Sequence, residues 1–122
     1  MSLLSNLLVA LVALLHAYFL VLEMFLWERP LGRRVFGTSA EFAAASRVLA
    51  ANQGLYNGFL AAGLVWGLLA GSGGVSIRVF FLACVIVAGV YGAISVSRKL
   101  LFVQALPAAI ALTLVLLAGL GN

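Results

Sequence analysis

Long apolar segments recur from one end of this chain to the other, and they restrict the fold more than any other feature. The first runs from Leu3 to Trp27, about 37 Å as a helix, which is enough to cross a bilayer with some tilt. Of the 122 residues, 66% are hydrophobic and only 8% are charged, whereas soluble domains average roughly half and a quarter. The sequence therefore predicts an all-α, polytopic membrane protein.

Local signals divide the apolar sequence into four transmembrane helices. Pro30 disfavours helix at the residue before it, so the first helix is expected to end near there. Thr38 and Glu41 fit a capping box that starts the second helix, and Gly71 begins a glycine-rich turn that ends it. Pro107 falls in the second turn of the last helix, where a kink is compatible with spanning. A four-transmembrane-helix bundle is predicted, forming a single integral membrane domain over residues 1–122, with helices at about 3–28, 39–70, 76–97 and 101–120.

Positive charges next to the apolar segments predict the orientation. With four spans, the first and third loops share one side of the membrane, and the opposite side offers only Arg78. Loops rich in Lys and Arg stay in the cytoplasm, so both termini are predicted to be extracytoplasmic, in the inner membrane if the source is bacterial. This placement explains the net charge of +4 without a nucleic-acid partner. The positive residues of the first and third loops are Arg29, Arg33, Arg34, Arg98 and Lys99.

A cluster of polar residues interrupts the second predicted helix between Ser46 and Gly58. Polar groups are costly inside a bilayer, so such a cluster is by default a candidate functional site. Gln53 and Asn57 share one stripe of the helix, and Asn52 shares another with Tyr56, because each pair is four residues apart. Polar groups on several sides, together with GxxxG spacings, predict that other protein surrounds this helix, and hence a homo-oligomer.

The first two helices are predicted to be joined by polar contacts. Counted from the predicted helix ends at 1.5 Å per residue, Glu23 and Arg47 lie at similar depth, about 6 and 9 Å inward. His16 and Asn52 match at about 16 Å, and Gln53 is a second possible partner of His16. Glu23 and Arg47 are expected either to neutralise each other and fix the helix register or to serve a ligand.

The candidate ligand-binding residues lie on three of the predicted helices. Tyr91 lies on a polar face of the third helix that runs to the cytoplasmic boundary. No metal-ligating set is evident, and the sequence leaves the cofactor unknown. The expected partners are membrane lipid, a small-molecule ligand and further copies of the chain. The candidate residues are Arg47, Asn52, Gln53, Asn57, Tyr56, Glu23, His16 and Tyr91.

Two stretches, LEMFLWERPLGRRVFG and RVLAANQGLYNGFLAAGLVWG, closely resemble the domain of unknown function family 1304. These distinctive stretches belong to a resemblance that covers nearly the whole chain. It implies a small, mainly microbial, four-span membrane protein and brings no established activity or catalytic residues.

A weaker resemblance is to the membrane-associated proteins in eicosanoid and glutathione metabolism, four-helix proteins that bind glutathione between the subunits of a trimer. Arg47, Asn52 and Tyr56 are similar to residues of that family's second helix, although Leu55 stands where the family has a glutamate. The resemblance implies that Arg47 would stabilise a thiolate or carboxylate, and that Tyr56 or Tyr91 would donate a hydrogen bond.

Three functions are therefore open. The first is binding of a small amphipathic or anionic ligand in a polar pocket in the cytoplasmic half of the bundle, and it asks least of the residues. The second is a glutathione-dependent membrane enzyme. The third is a small proton-coupled transporter that uses Glu23 and His16, since the chain also resembles small multidrug-resistance transporters with a glutamate in their first helix. Whether the protein is an enzyme is left open by the sequence.

Overall fold

The structure is a computed structural model, and it describes residues 2–120 of the chain. Its ordered elements are all helical, which confirms the all-α prediction. A 3₁₀ turn at Gly71–Gly73 precedes the fourth helix, and a π-helical turn at Leu101–Ala105 leads into the fifth. The five α-helices of the described part are α1 (Ser2–Met24), α2 (Pro30–Phe36), α3 (Ala40–Leu69), α4 (Gly74–Ser95) and α5 (Leu106–Leu120).

The chain divides into two compact units. One consists of the residues up to Ala13 together with those from Leu60 onward, and the other is Leu14–Phe59. This division does not test the predicted single domain over residues 1–122, which stays a prediction. Residues 1, 121 and 122 of that domain lie outside the described part. An apolar core fills the first unit, made of Val9, Val12, Ala13, Leu64, Leu82, Val85, Ala108, Ala111 and Val115.

Close backbone contact between α4 and the π-helical turn shapes the first unit. A Cβ atom on Gly89 would lie 2.7 Å from the backbone nitrogen of Ala105, so only glycine permits this approach. At the end of the turn, the Leu106 amide donates to the Leu101 carbonyl, five residues back. The wider turn ends just before Pro107, which has no amide hydrogen for an α-helical bond.

Three helical segments are long and apolar enough to cross a membrane, namely Leu3–Met24, Gly71–Ser95 and Leu101–Gly119. Only 39%, 22% and 28% of their most apolar windows, respectively, are buried. Large apolar surfaces left uncovered in this way are suited to lipid rather than to water. The protein is therefore a multi-pass membrane protein.

Helix α3 is not among these three apolar segments, although its length is sufficient. Its 30 residues extend about 45 Å, but its polar side chains lower the mean hydropathy. A fourth span through α3 therefore stays a prediction. The polar residues responsible are Glu41, Arg47, Asn52, Gln53 and Asn57.

The first predicted helix is too long at its C-terminal end. It was expected to reach residue 28, but α1 stops at Met24. The chain then folds back so that Gly32 lies against the Leu26 carbonyl and the Cα atom of Trp27. This packing requires a turn after Met24, and tertiary contact thus overrides the apolar helical pattern.

The short helix α2 was missed by the sequence reasoning, which assigned its residues to a loop. Pro30 occupies the first turn, where its missing N–H costs nothing. Gly37 ends α2 with φ of 66° and donates its backbone N–H to the Arg33 carbonyl. Both are recognised start and stop signals, so the sequence did contain the information needed to find α2.

The start of α3 lies one residue later than predicted. Ser39, rather than Thr38, is the N-cap, because its Oγ accepts the Phe42 backbone N–H at 3.1 Å. Glu41 still lies in the first turn, where a negative charge favours the helix dipole. The remaining ends differ modestly from the predictions, with α3 ending at Leu69, α4 covering Gly74–Ser95, and the last segment divided into a π-helical and an α-helical part.

Candidate functional site

The most deeply buried acidic group of the unit formed by Leu14–Phe59 is Glu23, near the C-terminal end of α1. Its side chain is 3% exposed, and its Oε1 atom accepts a hydrogen bond of 2.5 Å from Nδ2 of Asn57 on α3. Gln53, one turn earlier on α3, also interacts with this carboxylate through its amide. Two side-chain amides on one stripe of α3 therefore bind the Glu23 carboxylate.

A glycine on α3 allows Glu23 to reach these amides. A Cβ atom on Gly54 would lie 3.0 Å from the Cβ of Glu23 and 2.8 Å from the Cγ of Met24. Such distances leave almost no room for a side chain, so α1 and α3 approach closely only because residue 54 is glycine. The close approach brings the Glu23 carboxylate within hydrogen-bonding distance of Asn57.

The prediction that Glu23 contacts Arg47 is wrong. Arg47 is exposed, and within residues 2–120 it forms no ion pair or hydrogen bond. Asn57, ten residues further along the helix, takes its place, a shift of about 15 Å along the axis of α3. The depth estimate failed because it extended the first helix to Trp27 and counted directly across a loop that in fact contains α2.

His16 is completely buried, with an exposed fraction of 0%. Its ring meets the Phe19 ring edge to face, with the centroids 5.6 Å apart. Asn52 and Gln53, the partners expected for it, have exposed side chains. In the structure His16 is thus part of the interior rather than of an open polar stripe.

The predicted ligand-binding residues Arg47, Asn52, Tyr56 and Tyr91 are all exposed. Asn52 and Tyr56 share a face of α3 and are both exposed, Tyr56 by 56%. Arg47 precedes Asn52 by five residues and therefore lies about 140° around the helix from it. Tyr91 is 71% exposed on α4 and belongs to the other compact unit. The structure brings together Glu23, Asn57 and Gln53.

Residues 10–116 match the protein family described as "Protein of unknown function (DUF1304)". The chain belongs to this family. It is 32% identical over 106 residues to "Uncharacterized protein YpaA" of Lactococcus lactis subsp. lactis (strain IL1403), a match that covers 85% of this chain and 89% of the relative. No solved structure matches this DUF1304 protein. The matches give no support to the resemblance to proteins of eicosanoid and glutathione metabolism.

In this DUF1304 protein, Trp27 links the loop after α1 to α3. The sequence reasoning missed this role. Its indole Nε1 donates to Ser46 Oγ at 3.1 Å, and the same hydroxyl donates to the Phe42 carbonyl at 2.6 Å. The Trp27 ring also packs against Phe36 of α2, with ring centroids 5.0 Å apart. The spacing of Trp27 from Ser46 gave no sequence signal for this contact.

Arg78 has a structural role besides its place in the charge pattern. Its Nη1 atom donates to the Gly67 carbonyl at 2.7 Å, which satisfies one of the open acceptors at the C-terminal end of α3. A cation at this end also favours the helix dipole. Arg78 thus connects the end of α3 to the start of α4.

The described residues 2–120 contain no group of three or more His, Cys, Asp or Glu side chains that could hold a metal ion. The chemistry that this family member offers is therefore that of a buried carboxylate with amide donors and of an exposed guanidinium within the same compact unit. The first can bind or release a proton, and the second can bind an anion.

Proposed function

We propose that this protein crosses the membrane four times, with α3 as the fourth span and both termini outside the cytoplasm. The charge pattern supports the orientation, since five positive residues lie in the first and third loops and only Arg78, at the start of α4, lies toward the opposite side. The length of α3, about 45 Å, is sufficient for a span. Its amides at positions 53 and 57 face the Glu23 carboxylate, which lowers the cost of placing them in lipid.

We further propose that the protein binds a small amphipathic molecule through its anionic head group. The observation that carries this proposal is the exposed Arg47, whose charge no described residue compensates. A charged residue inside a span is expected to face a partner or a water-filled cavity. A carboxylate or phosphate group would supply that partner through charge-assisted hydrogen bonds.

The surface beside Arg47 suits an apolar tail. Ala51 and Leu55 follow at four-residue intervals and so form a ridge on the same side of α3. Ala51 is small and partly exposed, and Leu55 is 41% exposed. A head group at Arg47 would let the tail run along this ridge toward the middle of the bilayer.

Ligand-dependent stability tests the proposal. The unfolding temperature of the protein in a neutral detergent would be measured with oleate, with phosphatidylglycerol and with phosphatidylcholine. A ligand at a hundred times its Kd stabilises by about 2.7 kcal/mol. Stabilisation by oleate alone would indicate a free fatty acid, and stabilisation by phosphatidylglycerol alone would indicate an anionic lipid. Phosphatidylcholine, which has no net charge, is the control for effects of lipid that do not depend on an anionic head group.

Variants identify the arginine that binds. Arg47→Gln should weaken binding by about tenfold to a hundredfold, the effect of losing a hydrogen bond to a charged group. Arg34→Gln removes the same charge from an exposed position on α2 and should leave binding unchanged. Equal stabilisation of the wild type and Arg47→Gln, or an equal loss in Arg34→Gln, would refute the proposed site.

A second candidate function is proton-coupled transport through Glu23. The specific support is that this buried carboxylate has amide partners and no guanidinium partner, which leaves it able to exchange a proton. In liposomes loaded with a pH-sensitive dye, the wild type should dissipate an imposed pH gradient, and Glu23→Gln should not. Equal rates in the two proteins would exclude Glu23 as a proton carrier.

A further inference from the structure

One side of α3 exposes a mixed polar and apolar surface, which we call the outer face and define as Val48, Asn52, Tyr56 and Phe59. The spacings of four, four and three residues place these side chains along one stripe. Val48 is 75% exposed, and Tyr56 and Phe59 are each 56% exposed. Gly54 and Asn57, which contact α1, are buried on a different side of α3.

Asn52 is the feature of the outer face that requires a partner. It is exposed and forms no hydrogen bond within residues 2–120. It lies about 18 Å from the start of α3, which is within the hydrocarbon core if α3 is a span, as proposed above. Acyl chains cannot hydrogen-bond to an amide, and an unsatisfied amide in hydrocarbon is unfavourable.

We infer that the outer face of α3 binds the outer face of a second copy of this chain. A primary amide carries both donors and an acceptor, so two Asn52 side chains facing each other across a two-fold axis satisfy one another. Interhelical hydrogen bonds of this kind hold membrane helices together. The interface is isologous, because the same stripe serves both subunits.

The flanking residues are suited to the same contact. Tyr56 and Phe59 form an aromatic pair with ring centroids 6.0 Å apart, and Val48 lies one turn before Asn52. The stripe carries no charge that would repel its own copy. It therefore offers one self-complementary polar group within a surface that can exclude lipid.

Disulfide crosslinking in native membranes tests the interface. The background is Cys84→Ser, which removes the single natural cysteine. Val48→Cys places a reporter on the outer face, and Ala51→Cys, at a partly exposed position, places one on another side of α3, about 100° around the helix from Asn52 and about 140° from Tyr56. Upon oxidation, Val48→Cys should give a band at twice the mass of one chain, in which two differently tagged copies are joined, and Ala51→Cys should not.

The role of the amide is tested in the Val48→Cys protein. Adding Asn52→Leu should reduce the crosslinked fraction by about threefold to tenfold, as the loss of interhelical hydrogen bonds implies. Adding Asn6→Leu removes an exposed amide from α1 and should not reduce it. Equal crosslinking with and without Asn52→Leu, equal crosslinking at positions 48 and 51, or a product containing a different protein would overturn the inference.

The same variants distinguish this inference from the proposed topology. Ala51→Cys lies outside the interface, so a membrane-impermeant maleimide should fail to label it if α3 spans the bilayer. Labelling would refute the four-span proposal and remove the basis of the interface. Absence of labelling together with absence of crosslinking at Val48→Cys would refute the interface and leave the four spans in place.

Discussion

The hydrogen bond between Asn57 and Glu23 should contribute measurably to stability. Replacing Asn57 by Leu keeps a side chain of comparable length but removes the amide that donates to the carboxylate at 2.5 Å. Both residues are nearly buried, with exposed fractions of 8% for Asn57 and 3% for Glu23, so water does not readily replace the lost donor. Hydrogen bonds to charged groups are worth about 1.5–3 kcal/mol, and we expect Asn57→Leu to cost that much.

A double-mutant cycle separates this bond from other effects of the substitution. Glu23→Leu alone leaves the amide of Asn57 without its acceptor and should also destabilise the protein. The double variant removes both polar groups, so its loss of stability should be smaller than the sum of the two single losses. The difference should be about 1.5–3 kcal/mol, the strength of a hydrogen bond to a charged group.

The assay is equilibrium unfolding in mixed micelles of dodecyl sulfate and a neutral detergent, followed by tryptophan fluorescence and far-UV circular dichroism. Trp27 reports on the same compact unit as Glu23. Asn6→Leu is the matched control, because Asn6 is an exposed amide on α1. Strictly additive losses in the cycle, or equal losses for Asn57→Leu and Asn6→Leu, would refute the reasoning.

Two further predictions concern packing and topology. Gly54→Ala should destabilise the protein by about 1–3 kcal/mol, a typical cost of overpacking, because a Cβ there would lie 2.8 Å from Met24. Gly73→Ala should be close to neutral in the same unfolding assay, since no atom lies within 4 Å of its Cβ position. Reporter fusions at Asn122 should give an extracytoplasmic signal, as the charge pattern of the loops requires, and a cytoplasmic signal would refute the orientation.

Helix α2, in the first loop, shows how far local sequence signals predict the structure. Proline at position 30 and glycine at position 37 mark the two ends of α2, and both effects act within a few residues. The helical nature of the apolar segments followed equally directly, because the backbone of a single span in lipid must satisfy its own hydrogen bonds. Family membership was also predictable, because the resemblance is carried by two stretches of sequence and does not depend on tertiary contacts.

The partner of Glu23 could not be derived in this way. To match depths along two helices, one must know where each helix ends and how the chain runs between them. The hydrogen bond from Trp27 to Ser46 changes that path. A registry error of a few residues moves a contact by several ångströms at 1.5 Å per residue. The pairing with Arg47 failed for this reason.

The sequence by itself determined that the chain is all-α, that it crosses a membrane more than once, and that polar groups lie within α3. These properties depend on residue types and their spacing, which are local. Only the tertiary structure decided that Asn57 and not Arg47 contacts Glu23, and that Asn52 faces outward. The physical reason is that the register of α1 against α3 is set by contacts distant in sequence, above all the close approach at Gly54.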